Sequence, residues 1–424
     1  MEFIMFVELK DTQLYIDELI NNKQYNDALA NIVIGVHNSF NSEEFRHKHL
    51  YYQKFDSQMM EMSKIFQSSC QRSAQANVLI VVTELYQVGG HSRVVEDIVD
   101  EVESAIIVLT DLFWSYKKNL NHLNWILDRF KNHTVIVLQQ TTLLLKCQEL
   151  FNLVNRLKPG NIIYMQHHQD PIPFVGTLGY SASRKTLIHH CDHTPSLGNT
   201  LDGVAHVDFT DELAHICSEK LQREALVFPL YVSDSGLKIF PEFDQINFSV
   251  VTSGTGVKFA RYGDLSLASI ALRVLNFIEG NFFHIGPIDP QWLSDIRCYL
   301  AENNVNPDRF FSLGAVESLW STILNLDAHF YIGSAPVGGI RAAVEAQGCG
   351  YPVLYFKDEA NPEIMRVDSM YASEELGWAT VDELIEVISD ARHHHRDLSV
   401  RSRKFYQSKF SIGKFREALN CIIR

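Results

Sequence analysis

The chain has 424 residues and a formal net charge of −14, from 37 basic and 51 acidic side chains. This length exceeds one ordinary core and allows two α/β domains, whereas the acidic balance disfavours a general polyanion-binding surface and hence a nucleic-acid partner. Hydrophobic residues make up 46% and charged residues 21%, so we expect a chain that folds almost throughout.

The first twenty residues, MEFIMFVELKDTQLYIDELI, lack the basic segment, apolar run and small-residue cleavage site of a secretory signal. No apolar run approaches the roughly 18 residues that a membrane span needs. The seven cysteines are scattered without a C-x-x-C pair, which indicates reduced, mostly buried thiols. We therefore expect a cytoplasmic protein, with peripheral attachment at the inner membrane face as a further option.

Residues 1–75 are predicted to form an N-terminal helical region. In QLYIDELINNKQYNDALANIVIGV the apolar residues recur at helical spacing, and NNKQYNDAL is typical of the turn of a helical hairpin. The sequence has no second copy at a fixed period, so we expect a cap or a partner-docking hairpin rather than a repeat array.

Short apolar runs alternate with helical patterns from residue 76 onward. They include NVLIVV, SAIIVLT, TVIVL and NIIYM, and, after the polar stretch at 231–246, NFSVVTSG, NFFHIG, AHFYIG and PVLYF. Continuous apolar strands separated by helices predict parallel sheets covered on both faces. The predicted fold is therefore α/β, with two Rossmann-like doubly wound domains, residues 76–233 and 234–400, facing a cleft.

Two Gly-Gly pairs follow predicted strands. Gly89 and Gly90 precede His91 and a helix, but neither G-x-G-x-x-G nor G-x-x-x-x-G-K-[ST] is present, so a dinucleotide or P-loop site is not supported. A tight strand-to-helix turn is the alternative. Gly338 and Gly339 precede a helix that begins near Ile340, where backbone amides and the positive helix end suit a diphosphate. An ordinary βαβ unit with a glycine cap is the alternative there.

The stretch GGIRAAVEAQGCGYPVL resembles the nucleotide-sugar domain of GT-B fold glycosyltransferases, which often contains G-G-x-x-x-x-x-x-E-A-x-x-x-G-x-P-V. The glutamate here lies one position nearer the glycines. The resemblance implies that Glu345 holds the ribose hydroxyls of a nucleotide-sugar, and that the amides of Gly338, Gly339 and Ile340 hold its diphosphate.

Two further stretches of the second domain resemble the same family. VVTSGTGVKFARYGDL is similar to its first strand and loop, in which a cation contacts the donor phosphate, and RFFSLGAV is similar to a strand that ends in a Gly-x-Val turn facing the base. The donor-binding residues implied by these two stretches are Gly254, Thr255, Lys258, Arg261, Gly314 and Val316.

The first domain is expected to bind the acceptor and to supply a general base. YMQHHQDPIPF and LIHHCDHTPSLG concentrate histidines after two predicted strands, and a neutral imidazole suits proton removal from an acceptor hydroxyl. Asp192 and His193 are the favoured pair, either with Asp192 as the carboxylate that orients His193 as the base or with Asp192 as the base itself, and His91 is the secondary candidate. The acceptor-side residues are Gly89, Gly90, His167, His168 and His189.

Adjacent histidines in an extended segment point to opposite faces, so His189 and His190 cannot both line one site without a bulge. HHCDH also lacks the separated ligand pairs usual for zinc, so we expect no metal site. The amphipathic tail at 401–424 is predicted to be helical. In GT-B enzymes the corresponding helix commonly crosses back to the first domain.

The resemblance implies a Leloir glycosyltransferase of the bacterial glycan-assembly type, moving a sugar from a nucleotide-sugar, with UDP-sugar favoured, to a glycan acceptor. Val337 stands where many retaining members have a second glutamate, which favours inversion. No cofactor or metal is required if Lys258, Arg261 and the helix terminus neutralise the diphosphate. The alternatives are a protein glycosyltransferase, a non-catalytic nucleotide-sugar-binding or scaffold protein of the same fold, and a sugar-nucleotide epimerase.

Overall fold

The computed structural model describes residues 9–41, 52–67, 78–87, 90–181, 183–190, 196–241, 246–357 and 368–423. The chain divides into two compact units. The first comprises Met1–Phe228 with Arg416–Arg424, and the second comprises Pro229–Phe415. Each unit contains one sheet of parallel strands with helices between most successive strands, which confirms the predicted α/β class.

The sheet of the first unit has seven strands in the order β3-β2-β1-β4-β5-β6-β7. These strands are β1 (Val78–Val82), β2 (Ala105–Leu109), β3 (Thr134–Val137), β4 (Asn161–Met165), β5 (Arg184–Ile188), β6 (Val204–Asp208) and β7 (Ala225–Val227). The direction of strand addition reverses between β1 and β4, and ligands of such sheets bind beyond the carboxyl ends of the strands at that point.

The helices of the first unit form one core with its sheet. They are α1 (Leu9–Asn21), α2 (Tyr25–Asn41), α3 (Gln53–Ser63), α4 (Gly90–Glu101), α5 (Ser115–Lys118), α6 (Leu120–Arg129), α7 (Leu143–Leu157), α8 (Ile172–Thr177) and α9 (Asp211–Leu221). Ile16, Leu29 and Phe55 of the first three helices are fully buried in the same cluster as Leu79 and Ile162 of the strands. The N-terminal helices are therefore part of the first unit, because their apolar faces complete its core.

The sheet of the second unit has six strands in the order β10-β9-β8-β11-β12-β13. They are β8 (Val250–Ser253), β9 (Phe282–Ile285), β10 (Phe310–Ser312), β11 (Phe330–Ile332), β12 (Val353–Phe356) and β13 (Gly377–Trp378). The helices are α10 (Leu267–Phe277), α11 (Pro290–Glu302), α12 (Leu319–Asn325), α13 (Ile340–Cys349), α14 (Val381–Ala391) and α15 (His395–Lys409). Here the order reverses between β8 and β11, so the loops after these two strands lie at the ligand-binding position of the fold.

The last helix, α16 (Ile412–Ile423), ends in the first unit, whereas α15 lies wholly in the second. The guanidinium of Arg416 makes two hydrogen bonds to the carboxylate of Glu101, at 2.5 and 3.0 Å. The side-chain amide of Asn161 donates to the carbonyl of Ile423 at 2.8 Å. Among the described residues, no helix is both long enough and apolar enough to cross a membrane.

Candidate functional site

In the second unit, the loops that follow β8 and β11 are joined to each other. The two strands pair in parallel, and beyond them Phe259 forms an antiparallel bridge with Pro336. The backbone N–H of Val337 donates to the carbonyl of Lys258 at 3.2 Å. These contacts hold the glycine-containing loop after β8 beside the one that leads into α13.

Lys258 lies against the second Gly-Gly pair. Its Nζ donates a 3.0 Å hydrogen bond to the carbonyl of Gly338. A Cβ built at Gly339 would lie 3.3 Å from the Nζ of Lys258. A Cβ at Gly338 would meet no atom within 4 Å among the described residues. An ammonium thus stands at the N-terminus of α13, next to backbone that a ligand can approach. Such a place suits an anionic group, because the helix end and the side chain are both positive.

The loop after β8 is supported by residues that the sequence did not single out. A Cβ at Gly286 would lie 2.1 Å from the carbonyl oxygen of Gly254, so only glycine permits this close approach. The Nε2 of His284 donates to the same carbonyl at 3.0 Å. Burial lowers the pKa of His284 to about 4, so this imidazole is neutral at physiological pH and acts as a fixed donor.

Glu345 lies in the second half of α13, next to the start of α12. Its Oε2 accepts a 3.0 Å hydrogen bond from the backbone N–H of Trp320, and its Oε1 lies 4.0 Å from Nε of Arg341. Helix α12 follows the predicted base-binding turn, in which Gly314 has a φ of +69° and accepts from the N–H of Gly286 at 2.8 Å. The structure therefore brings Glu345 close to the segment that follows this turn.

The other residues predicted to bind the donor make fewer contacts with the Gly338 loop than Lys258 does. Val316 is half-buried in the segment before α12, and Thr255 is half-buried just before a short 3-10 turn at Gly256–Lys258. Arg261 is exposed, with its guanidinium 5.7 Å from the ring centre of Tyr262. Among the described contacts, Lys258 touches the Gly338 loop and Arg261 does not.

In the first unit, three histidines gather near the carboxyl end of its sheet, namely His91, His167 and His190, here called the histidine cluster. The rings of His91 and His190 stack at 5.4 Å with an interplanar angle of 26°. The Nε2 of His91 donates to the carbonyl of Glu84 at 2.9 Å, which leaves Nδ1 as the nitrogen with the lone pair. Burial, and then the neighbouring His190, lower the pKa of His91 to about 4.

His167 has a similarly lowered basicity. Its pKa is lowered to about 4, mainly by burial and then by its neighbours His190 and His91. Its backbone N–H donates to Oγ1 of Thr83, just after β1, at 2.7 Å. His91 and His167 are thus uncharged at neutral pH.

His189 and His168, both predicted on the acceptor side, are buried. His189 is 2% exposed and its Nδ1 lies 3.1 Å from Oδ1 of Asp208. His168 is 5% exposed and its carbonyl accepts from the N–H of Leu197. The N–H of His190 donates to the carbonyl of Ile188 at 2.9 Å, so the backbone turns at His189 just after β5. His190, omitted from the predicted site, is the residue of the pair that stacks on His91.

Three predicted residues, Gly89, Asp192 and His193, lie outside the described residues. Gly90 is exposed at the first position of α4.

By sequence, no protein-family model and no curated protein matches the chain. Among solved structures, a glycosyltransferase from Rickettsia africae aligns with 82% of this chain and 99% of its own at 13% identity, with a TM-score of 0.61. Anabaena HepE, in complex with UDP and glucose, aligns with 80% of this chain and 97% of its own at 14% identity, with a TM-score of 0.56.

A mutant of the O-GlcNAc transferase from Thermobaculum terrenum aligns over more of the chain. It covers 98% of this chain and 83% of its own at 13% identity, with a TM-score of 0.55. At 13–14% identity, these similarities show the fold. The chain therefore has the GT-B fold that its glycine loop and its strand pattern predicted.

Proposed function

We propose that this protein is a glycosyltransferase that moves a sugar from a nucleotide-sugar, with UDP-sugar favoured, to a glycan acceptor. The observation that carries the proposal is the contact of Lys258 with Gly338 at the N-terminus of α13, at the point where the strand order of the second unit reverses. A lysine, a glycine loop and a helix terminus together form a site for a diphosphate without a metal ion.

The donor is oriented by three groups of this site. Lys258 and the amides of Gly338 and Gly339 hold the diphosphate, Glu345 accepts from the ribose hydroxyls, and the turn at Gly314 faces the base. The bond of Glu345 to the N–H of Trp320 supports this assignment, because it fixes the carboxylate next to that turn. The similarity to HepE, solved with UDP and glucose, supports UDP as the nucleotide.

Transfer with inversion requires a base. As the acceptor oxygen attacks the anomeric carbon, the bond from that carbon to the diphosphate breaks, the acceptor proton passes to the base, and Lys258 neutralises the charge on the departing diphosphate. His91 suits the role of base, since its Nδ1 carries a lone pair. Asp192 with His193 is the alternative that the sequence suggests. Val337 occupies the place of the second glutamate of many retaining enzymes, and this supports inversion.

The direct test is nucleotide release. We expect release of UDP from a UDP-sugar that depends on an added acceptor glycan, in a panel that also contains GDP- and CMP-sugars. Glu345→Ala should weaken UDP binding about 10-fold or more, as expected for loss of a charged hydrogen-bond acceptor. Tight binding without turnover would favour a scaffold, and a change of sugar configuration without acceptor would indicate an epimerase. Unchanged UDP affinity in Glu345→Ala would exclude the donor site.

A second candidate, transfer to a protein, is favoured by one observation. The similarity to the O-GlcNAc transferase extends over 98% of this chain, compared with 80–82% for the other two structures. It thus reaches the N-terminal helices, which the sequence suggested as a place to receive a polypeptide. A mass increase of one sugar on a polypeptide acceptor, with no transfer to glycans, would select this candidate. Transfer to glycans would support a role in surface polysaccharide assembly.

A further inference from the structure

Four buried side chains that can ligate a metal converge beside β5 and β6 of the first unit. They are His189, which follows β5, His206 and Asp208 of β6, and Cys217 of α9. None is more than 2% exposed. One candidate ligand atom from each lies within 4.8 Å of every other. None of them belongs to the histidine cluster, in which His190 stacks on His91, whereas His189 contacts Asp208.

Strand register explains why they meet. Leu187 pairs with His206 and Ile188 with Val207, so His189 comes next to Asp208 when the pairing is extended by one residue. His206 and Asp208 are two positions apart and therefore share one face of the sheet. Helix α9 packs on β6 and β7 and brings Cys217 to the same place.

Three distances within the group are close to those between the ligands of one zinc ion, with each carboxylate oxygen of Asp208 facing one imidazole. Nδ1 of His189 lies 3.1 Å from Oδ1 of Asp208, Nε2 of His206 lies 3.2 Å from Oδ2 of the same carboxylate, and Sγ of Cys217 lies 3.8 Å from Nδ1 of His189. With bonds to zinc of about 2.0–2.3 Å, two ligands of one tetrahedral ion are separated by about 3.3–3.6 Å. A small shift of each atom would therefore admit an ion at the centre.

Hydrogen bonding within the described residues leaves part of this group unsatisfied. Nε2 of His206 and Oδ2 of Asp208 face each other at 3.2 Å, yet neither atom makes a hydrogen bond to any described residue. A buried carboxylate oxygen and imidazole nitrogen that face each other without a well-formed hydrogen bond are costly, and a cation between them would bind both lone pairs.

We propose that His189, His206, Asp208 and Cys217 bind one zinc ion as a structural site of the first unit. Two imidazoles, one thiolate and one carboxylate are ligands that Zn²⁺ accepts, and four protein ligands leave no open position for chemistry. The ion links the end of β5, strand β6 and helix α9. The sequence predicted no metal because HHCDH lacks ligand pairs, and only His189 of that motif belongs to the site. The glycosyl transfer proposed above does not depend on it.

The test uses the full chain, stripped of metal with a chelator. The stripped protein is titrated with Co²⁺, and Zn²⁺ is then added to the cobalt-loaded protein. We expect about one metal per chain and a thiolate-to-cobalt charge-transfer absorption that Zn²⁺ removes. Cys217→Ser should abolish that absorption, and Asp208→Asn should weaken Zn²⁺ binding roughly 100-fold or more, since even outer-shell changes cost 10–100-fold. Cys147→Ser is the matched control, because Cys147 is also fully buried, in α7.

Two results would overturn the proposal, namely a stripped wild-type chain that takes up neither ion, and a charge-transfer absorption that survives in Cys217→Ser. If the variants fail to fold, alkylation of the wild type with and without Zn²⁺, mapped to Cys217 by mass spectrometry, replaces them. Protection by Zn²⁺ is expected, and an alkylation rate at Cys217 that Zn²⁺ does not change would reject the site. None of these measurements depends on glycosyl transfer.

Discussion

The ammonium of Lys258 lies 3.0 Å from the carbonyl oxygen of Gly338, and so it links the loop after β8 to the loop after β11 in the second unit. A phosphate oxygen is a stronger partner for an ammonium than a neutral carbonyl is, because the hydrogen bond is then assisted by both charges. When a diphosphate binds in this loop, the ammonium of Lys258 should therefore donate to a phosphate oxygen instead of to the carbonyl of Gly338. Two substitutions separate the contributions of the loop and of the side chain.

Gly338→Val tests whether the open space at this glycine is a ligand site. A Cβ here meets no described atom within 4 Å, so the free energy of unfolding should change by less than about 0.5 kcal/mol. The side chain would occupy the space beside the amides, and the dissociation constant of UDP should rise about 10-fold or more. Calorimetric titration and thermal unfolding measure the two effects. Gly413→Val, in the first turn of α16, is the control. Wild-type affinity in Gly338→Val would place the diphosphate elsewhere.

Lys258→Met tests the cation. The methionine keeps the length of the side chain but removes the charge, so affinity for UDP should fall while affinity for uridine stays the same. Loss of one group that stabilises developing charge typically lowers kcat by about 10²–10³-fold. Lys404→Met, exposed on α15, should behave as wild type. An equal loss of affinity for UDP and uridine would show that Lys258 acts on the shape of the loop rather than on the phosphates.

Asp56→Asn tests how the N-terminal helices are held in the first unit. The buried carboxylate of Asp56 accepts from the N–H of Gly198 at 2.7 Å, and from the N–H and hydroxyl of Thr200 at 2.9 and 2.6 Å. An amide would turn an NH₂ group toward some of these donors, so the free energy of unfolding should fall by about 1–3 kcal/mol. Asp202→Asn, which is exposed, should have little effect.

The loss of unfolding free energy caused by Asp56→Asn should depend on pH. Burial raises the pKa of Asp56 to about 6, against the hydrogen bonds that lower it. The folded state therefore holds this proton more tightly than the unfolded state, and the stability that Asp56 contributes is lost as the pH rises from about 4 to 6. Denaturant unfolding should show a larger difference between wild type and Asp56→Asn at pH 4 than at pH 7. A difference that grows with pH would contradict the shifted pKa.

Local patterns made the fold and the glycine turn before α13 predictable. Strands such as VLIVV are fully buried in parallel sheets, and the second Gly-Gly pair does precede a helix. Long-range contacts were not predictable. The carboxylate of Asp56 contacts residues more than 140 positions away, and the contact of Glu345 with Trp320 depends on how α12 packs. His206 and Asp208 form an H-x-D pattern on one strand, but its meaning depends on a cysteine in the following helix.

The decline of kcat/KM at low pH tests whether His91 is the base. A base must be neutral to accept the acceptor proton, and burial together with His190 lowers the pKa of His91 to about 4. The value of kcat/KM should therefore stay constant as the pH falls through 6.5, the ordinary histidine value, and decline only near pH 4, if the fold survives. His91→Asn should lower kcat by about 10²–10⁴-fold with unchanged UDP affinity, while the exposed His215→Asn should not. Should kcat/KM fall at pH 6.5, or His91→Asn keep its kcat, the base is another group, and Asp192 and His193 are the next to substitute.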